Sequence, residues 1–179
     1  VLFQGKSVQT QIRTVRQNIG LVFQDADSQI VSQTLWDDVA FGPVNLKFSQ
    51  EKIRQTVEKS LKSVGLWSLK DHSPHKLSGG EKRKLAIAGV LAMEPRIILL
   101  DEPFSNLDYP GIVEILKQIL KLHQIGHTII CVTHEIEKIL YHANRLIIMD
   151  KGIIIKDSTP EQGIDYLNQY NIFPPQIIE

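Results

Sequence analysis

The amino-acid sequence predicts an α/β protein built on a mainly parallel sheet with crossover helices. Three observations lead to this prediction: fully apolar runs have the length of buried strands, amphipathic stretches repeat with helical spacing, and the two kinds alternate along the 179 residues. The alternation favours parallel pairing, because consecutive parallel strands need a long crossover connection, which a helix provides.

Short apolar runs mark the strands. The predicted strands are Ile19–Phe23, Ile97–Leu100, Thr128–Val132, Leu146–Met149 and Ile153–Ile155. The last two flank Asp150-Lys151-Gly152, a turn sequence that joins strands into a hairpin. The stretch Val1–Gly5 has two interpretations: an apolar strand that turns at Gly5, which we favour, or the uncut recognition sequence of a protease that removes expression tags.

Helical periodicity appears between the strands. The predicted helices are Gln50–Val64, Gly80–Met93, Ile112–Leu122 and Glu135–Tyr141. In the first of them, Ile53, Val57 and Leu61 fall on one face, and a glycine follows its end. A proline at position 95 ends the second helix, and Pro174-Pro175 predicts an irregular C-terminal tail.

Composition and charge exclude some classes of function. The chain is 42% hydrophobic and 22% charged, which is typical of a soluble domain. Its 20 Lys and Arg residues balance its 20 Asp and Glu residues, whereas a nucleic-acid-binding protein is expected to carry a basic excess. We therefore predict no nucleic-acid partner. No apolar run approaches the roughly 20 residues that span a bilayer, so we expect a membrane role to act through a partner.

The single cysteine and a pair of histidines are interpreted as having no site chemistry. Cys131 cannot form an internal disulfide, and its place in an apolar run predicts a small core residue. His72 and His75 have a spacing that a helix could use to bind a metal ion. However, Pro74 lies between them and no Cys, Asp or Glu pattern completes a site. We predict that both histidines are exposed loop residues.

Two adjacent carboxylates follow the apolar strand Ile97–Leu100. Asp101 and Glu102 would lie at the carboxyl end of a parallel strand, where α/β proteins bind their ligands. One carboxylate can hold a magnesium ion, and the next can accept a proton from an attacking water molecule. The alternative is a strand that merely ends in acidic residues.

A glycine-rich turn precedes the predicted helix Gly80–Met93. Ser78, Gly79 and Gly80 could bring backbone N–H groups and a hydroxyl close to an anion, and the helix N-terminus adds positive potential. The alternative is a serine N-cap with a flexible turn. The position of this turn about 20 residues before the acidic pair makes the combination much more specific than either motif alone.

Five motifs in this order resemble the ABC ATPase family. They are the Q-loop glutamine Gln24, the signature sequence Leu77–Glu81, the Walker B strand Ile97–Glu102, the D-loop Ser105–Asp108 and the switch histidine His134. The resemblance covers nearly the whole chain. It implies a P-loop NTPase-like fold of the ABC ATPase type, as one partial domain over residues 1–179. Within it the resemblance implies a helical signature subdomain at about residues 36–94 and a C-terminal tail at about 165–179.

The resemblance also implies roles for individual residues and a function. Glu102 and His134 would be catalytic, and Gln24 and Asp101 would hold Mg²⁺. The nucleotide-binding residues would be Gln24, Ser78, Gly79, Gly80, Asp101 and Asp108. ATP would be hydrolysed between two such subunits, identical or different, with the signature turn of one completing the phosphate site of the other.

Several stretches look like the energy-coupling-factor branch of the family: residues 24–29, 37–43, 45–46 and 86–93. This branch imports vitamins and transition-metal ions such as cobalt or nickel. It implies a transmembrane coupling subunit facing Asp25, Asp37 and Asn45, a substrate-binding membrane subunit, and a position at the cytoplasmic face of the cell membrane. The alternative is the ATPase subunit of another ABC importer.

The phosphate-binding loop of the family, G-x-x-x-x-G-K-[ST], does not occur in the 179 residues. Gly5-Lys6-Ser7 does not replace it, because Gly5 precedes Gln24 by only 19 positions and the family spacing is roughly forty or more. We therefore expect an N-terminally truncated chain that is inactive by itself. Two rivals remain: an ABC ATPase of DNA repair or translation, which should carry a coiled coil or a second ATPase half, and a non-catalytic fragment.

Overall fold

The structure is a computed structural model that describes residues 2–167. It forms two compact units, which divide between Val132 and Thr133, and each has its own hydrophobic core. Among the described residues, no helix has the length and apolar character needed to cross a membrane. The predicted single domain over residues 1–179, with a signature subdomain at about 36–94, stays a prediction.

The first unit alternates strands and helices. Its elements are β1 (Leu2–Phe3), β2 (Lys6–Ser7), α1 (Ile12–Asn18), β3 (Ile19–Val22), α2 (Leu35–Asn45), α3 (Gln50–Ser63), α4 (Gly79–Leu91), β4 (Ile97–Asp101), α5 (Tyr109–Gln124) and β5 (Thr128–Val132). β1 and β2 form an antiparallel hairpin that turns through Gln4 and Gly5, both with positive φ. The strand turning at Gly5 that the sequence predicts is thus confirmed.

A three-stranded parallel sheet with the order β3-β4-β5 organises this unit, as the sequence predicts. On one face Val22, Ile98 and Leu100 are almost fully buried. On the other face Leu21 pairs with Leu99, which pairs with Ile130, and Leu21 and Ile130 are 42% and 45% exposed. The two faces of the sheet therefore have very different surroundings.

Three helices, α2, α3 and α4, pack against one another between β3 and β4 in the chain. Their apolar faces bury Leu35, Val57 and Leu85. Helix α4 also lies so close to β3 that a Cβ on Gly20 would fall 2.2 Å from Val90 Cγ1. Glycine at position 20 is therefore required by this approach of helix and strand.

The predicted helices of this unit are confirmed, with shifted ends. Helix α5 begins three residues before the predicted Ile112, because Asp108 caps it by accepting the Gly111 N–H over 3.0 Å. The sequence analysis did not predict helix α2, because its sequence contains Gly42 and Pro43, which are poor helix formers in isolation. Packing against α3 and α4 overrides that local preference.

The second unit contains β6 (Leu146–Asp150), β7 (Ile153–Ser158) and α6 (Pro160–Leu167). β6 and β7 pair antiparallel through a turn at Lys151 and Gly152, which have φ values of 47° and 78°. The predicted hairpin is thus confirmed. Its buried side packs Ile148 with Leu167 and two residues of the preceding turns.

The predicted helix Glu135–Tyr141 is wrong. The chain forms two separate 3₁₀ turns, Ile136–Lys138 and Leu140–His142, because Ile139 between them has a φ of −131° that no α-helix accepts. At the other end of the unit, α6 extends to Leu167, so the first three residues of the predicted tail are helical. The rest of that tail, with Pro174 and Pro175, lies outside the described residues.

Candidate functional site

The acidic pair lies at the carboxyl end of the middle strand of the parallel sheet. Asp101 is the last residue of β4 and Glu102 follows it. The Glu102 N–H donates to the Val132 carbonyl at the end of β5 over 2.8 Å. Glu102 also has a φ of 44°, in the left-handed region that non-glycine residues rarely occupy. The neighbouring strand and this sharp turn together fix the backbone that carries the Glu102 carboxylate.

Gln24 lies at the same edge of the sheet. β3 and β4 are parallel and pair Val22 with Leu100, so the residues that follow the two strands leave the sheet side by side. The Gln24 side chain is exposed. The structure therefore brings Gln24, Asp101 and Glu102 to one edge of the first unit.

The turn at residues 77–81 begins helix α4, and Ser78 is its N-cap. The Glu81 N–H donates to the Ser78 hydroxyl over 3.3 Å, and the Ser78 N–H donates to Glu81 Oε2 over 2.8 Å. This reciprocal pair is a capping box. A Cβ added at Gly79 or Gly80 would meet nothing within 4 Å. The turn thus combines open space with a helix N-terminus that suits an anion.

The capping box also sets the electrostatics of this turn. Hydrogen bonds from the backbone N–H and the hydroxyl of Ser78 lower the pKa of the Glu81 carboxyl below its ordinary value. An ionised carboxylate in the first turn favours the helix dipole. The serine N-cap that the sequence left as an alternative to a functional serine is therefore present, and the two interpretations are compatible.

Asp108 lies at the start of α5 in the first unit. The exposed Asp108 carboxylate caps α5, as noted above. His134 belongs to the second unit, where its side chain is exposed. The roles implied for both residues stay predictions.

Gln24 and Asp101 have the chemistry that a magnesium ion requires. Mg²⁺ prefers oxygen ligands, and at nucleotide sites the protein supplies only one or two of them while phosphates and water supply the rest. An amide oxygen and a carboxylate fit that description. Within residues 2–167, no group of three or more His, Cys, Asp or Glu side chains is arranged to hold a metal ion.

Cys131 lies in β5, half-buried, as the neighbour of Leu100 in β4. Burial and the nearby Glu102 carboxylate raise the pKa of the Cys131 thiol to about 12. The thiol is therefore protonated at neutral pH and is a poor nucleophile. This supports the interpretation of Cys131 as an apolar packing residue.

Asp25, Asp37 and Asn45 are all exposed, on the turn after Gln24 and on helix α2. The Asn45 side chain donates to the Phe41 carbonyl over 2.9 Å. Phe41 and Val44 on the same helix are 56% and 55% exposed. This surface therefore combines polar groups with exposed large apolar side chains, a combination common where proteins associate.

An open recess of about 410 Å³ adjoins the segment between Gln24 and α2. Its lining residues are Ile30, Val31, Ser32, Gln33, Ser73 and His75. His72 and His75 are both exposed, as the sequence predicts, and His75 lies in the 3₁₀ turn Pro74–Lys76.

Asp38 is a buried carboxylate that sequence patterns do not single out. Its Oδ1 accepts the N–H groups of Val31 and Ser32 over 2.8 and 3.1 Å. Burial raises the pKa of the Asp38 carboxyl, and these two hydrogen bonds oppose that shift. Asp38 therefore fixes the backbone of Val31 and Ser32, which line the recess. Its place between Leu35 and Val39 on a helix offers no polar signal that could have revealed this role.

Arg83 is a second buried charge that the sequence analysis missed. It lies on α4 and is 4% exposed, and its guanidinium donates to the Phe23 carbonyl over 2.5 Å. Burial lowers the pKa of Arg83, while the charge of Asp25 opposes that shift. Arg83 shares a helix face with the buried Ile87 and Val90. A charged residue on an apolar helix face is the signal that could have identified it.

Comparison with known proteins identifies one family. The ABC transporter family matches residues 1–105. The chain is 48% identical over 166 residues to the energy-coupling factor transporter ATP-binding protein EcfA2 of Methanospirillum hungatei, covering 91% of this chain and 42% of that protein. It is 45% identical over 169 residues to EcfA1 of Caldanaerobacter subterraneus, covering 92% of this chain and 61% of that protein.

A solved structure is also similar. It is CbiO1 from Clostridium perfringens, described as part of the ABC transporter complex CbiONQ. The identity is 38% and the TM-score 0.81, over 94% of this chain and 71% of that chain. The predicted α/β fold of the ABC ATPase type is thereby confirmed. The chain spans 42% and 61% of the lengths of the two curated relatives.

Proposed function

The chain belongs to the ABC transporter family, and we propose that it forms much of an ATP-binding and ATP-hydrolysing subunit that powers an importer. The observation that carries the proposal is the edge of the parallel sheet, where Gln24, Asp101 and Glu102 emerge from adjacent strands. The names of the relatives support the energy-coupling-factor branch, with a vitamin or a transition-metal ion as cargo.

The edge of the sheet supports a division of roles among the three side chains. Gln24 and Asp101 would hold Mg²⁺, which when bound neutralises charge on the phosphates. Glu102 would orient the attacking water and accept its proton, because its backbone is fixed by the bond to Val132 while its carboxylate is half-buried. Catalysis would then consist mainly of positioning and electrostatic stabilisation.

The signature turn supports a second, intersubunit role. Ser78, Gly79 and Gly80 would contact the phosphates bound to a second ATPase subunit, identical or different. The space beside both glycines and the helix N-terminus of α4 support this assignment. Asp108 and His134 would contact the nucleotide as well, His134 at the γ-phosphate.

A test of the magnesium role uses the full-length subunit, meaning this chain together with the additional length that its relatives have. Asp101→Asn keeps the shape of the side chain and removes its charge. We expect the Mg²⁺ concentration for half-maximal ATP hydrolysis to rise about tenfold or more, as loss of one charged ligand bond predicts. Asp71→Asn, in an exposed loop, is the control. Unchanged Mg²⁺ dependence in Asp101→Asn would refute the role, and absence of ATP hydrolysis by the wild-type subunit, both alone and assembled in its transporter, would refute the proposed function.

The exposed surface of residues 25–45 would face a transmembrane coupling subunit, in a complex with a substrate-binding membrane subunit at the cytoplasmic face of the cell membrane. Cysteine introduced at Asp37 or Asn45 should crosslink to the coupling subunit in the assembled transporter. Cysteine at Gln162 is the control. Crosslinking only from Gln162 would place the docking surface elsewhere.

A further inference from the structure

The peptide groups on both sides of Phe23 are held by side chains from outside the strand. The Phe23 N–H donates to Gln29 Oε1 over 3.0 Å. The Phe23 carbonyl accepts from the Arg83 guanidinium over 2.5 Å. Because that carbonyl forms the peptide bond to Gln24, these two contacts fix the point at which the Gln24 backbone begins.

Arg83 reaches this carbonyl from the helix that the signature turn begins, 60 positions later in the chain. Burying a guanidinium is costly unless its hydrogen bonds and charge are compensated. Among the described residues, Arg83 Nε has no hydrogen-bond partner, and the guanidinium donates to the Phe23 carbonyl. The charge of Asp25 offsets part of this cost, but a buried arginine with an unpaired Nε is explained by the backbone carbonyl that it positions and not by what it adds to stability.

Two further contacts tie the same loop to the same helix. Lys82 Nζ lies 2.6 Å from Asp27 Oδ1, with the Lys82 side chain only 19% exposed. Gln29 Nε2 lies 3.5 Å from the Ala86 carbonyl, so one amide side chain touches both Phe23 and helix α4. The loop after β3 therefore meets α4 at three successive places along the helix.

We propose that Arg83 and Gln29 are positioning residues that orient Gln24 and make the loop of residues 23–29 move together with helix α4. The inference rests on the proposed function for the role of Gln24 as a magnesium ligand. Its consequence is that any shift of the signature turn at the start of α4 is transmitted to Gln24 through the Phe23 peptide. Contact of a nucleotide with the signature turn is thereby coupled to the position of Gln24, the proposed metal ligand.

Amide hydrogen exchange tests the contacts themselves and needs no catalytic activity. Gln29→Met keeps the length of the side chain but removes the acceptor for the Phe23 N–H. We expect the Phe23 amide, followed by NMR in this chain, to exchange about three- to tenfold faster, as loss of one net hydrogen bond predicts. The control is Gln55→Met, which removes an exposed amide that contacts Glu51 on α3. Equal exchange in Gln29→Met and wild type would overturn the proposal.

Magnesium dependence tests the consequence in the full-length subunit. Arg83→Met should raise the Mg²⁺ concentration for half-maximal ATP hydrolysis at least about threefold, whereas Arg83→Lys, which can still donate to the Phe23 carbonyl, should recover part of the shift. Arg54→Met, at an exposed arginine on α3, is the matched control. A variant with a lowered melting temperature but unchanged Mg²⁺ dependence would show that Arg83 is only a packing residue and would overturn the proposal.

The two experiments separate failure of this inference from failure of the proposed function. If Arg83→Met does not fold, Gln29→Met is measured for Mg²⁺ dependence in its place, with the same expected direction. If the wild-type subunit does not hydrolyse ATP, both alone and assembled in its transporter, the proposed function fails, and the exchange of the Phe23 amide still decides whether Gln29 holds this peptide.

Discussion

The carboxyl edge of the sheet and the signature turn present opposite chemistry. The edge offers acceptors: the Gln24 amide oxygen and the carboxylates of Asp101 and Glu102. The turn offers donors, which are the first N–H groups of α4. They lie beside Gly79 and Gly80, where an added Cβ would meet nothing within 4 Å. A metal ion and a water molecule need the former, and phosphate oxygens need the latter. Each region therefore suits only half of a metal–nucleotide complex, which explains why a working site would combine turns and edges from two subunits.

The largest effect expected from this comparison concerns the chain of residues 1–179 by itself. Its edge is acidic, its turn would serve the opposite subunit, and its sequence lacks the G-x-x-x-x-G-K-[ST] loop. Each charge-assisted bond from such a loop contributes roughly 1.5–3 kcal/mol, so several of them correspond to about four decades of affinity. We expect no saturable binding of Mg-ATP at micromolar concentrations by titration calorimetry. Micromolar binding would show that the two regions suffice without that loop.

The next effect separates the two regions by function. Glu102→Gln in the full-length subunit should lower ATP turnover by about 10²- to 10⁴-fold, because the amide cannot accept a proton from water. Nucleotide affinity should stay within about threefold of wild type, because nucleotide binding depends on hydrogen-bond donors to the phosphates and not on the Glu102 carboxylate. Turnover and equilibrium binding are measured on the same preparation. Near-normal turnover would remove Glu102 from the mechanism, whereas turnover and affinity falling together would make the edge a binding element.

Two glycines are expected to respond differently to substitution. Gly20 allows β3 and α4 to pack closely, whereas Gly80 lies beside open space at the signature turn. Gly20→Ala would place a Cβ 2.2 Å from Val90 Cγ1 and should destabilise this chain by about 1–3 kcal/mol in urea unfolding. Gly80→Ala meets nothing within 4 Å, so stability should change by less than about 1 kcal/mol, on the stabilising side. Yet Gly80→Ala should lower turnover of the full-length subunit about tenfold or more, because the added methyl fills space meant for phosphate. Normal turnover in Gly80→Ala would remove the signature turn from the site.

The smallest effect is a pH dependence at the signature turn. The pKa of Glu81 is lowered by hydrogen bonds from Ser78, so the folded state holds its proton less tightly than the unfolded state. This contribution to stability is fully present above the unfolded pKa of about 4.5 and is lost as pH falls through the folded value. Glu81→Gln should therefore be less stable than wild type by at most about 1 kcal/mol at pH 7, and the difference should shrink toward pH 3.

Urea unfolding at several pH values measures that difference. Glu137→Gln, an exposed glutamate in the second unit, is the control. A gap between Glu81→Gln and wild type that stays constant from pH 7 to pH 3 would show that the capping box acts through side-chain shape and not through charge.

Local sequence patterns are sufficient to specify the features that depend on residues within a few positions of one another. The apolar run before Asp101, the serine N-cap at Ser78 and the hairpin turn at Gly152 are all of this kind, because apolar runs, helix caps and turns are local preferences. The order of the five motifs added the family. The alternation of apolar runs with helical stretches thus predicted the parallel sheet, and the position of Asp101 and Glu102 after one of those runs predicted the edge that carries the acids.

Contacts between residues far apart in the chain could be found only from the packed fold. Arg83 reaches the Phe23 carbonyl across 60 positions, and Gly20 is required because α4 packs against β3. Neither contact leaves a periodic signal, since each depends on how one element is laid against another. The same reason applies to the wrong helix at Glu135–Tyr141, where the backbone at Ile139 has a φ of −131° and a ψ of −20°, outside the α-helical region. Packing, which acts over the whole unit, overrode preferences that act over a single turn.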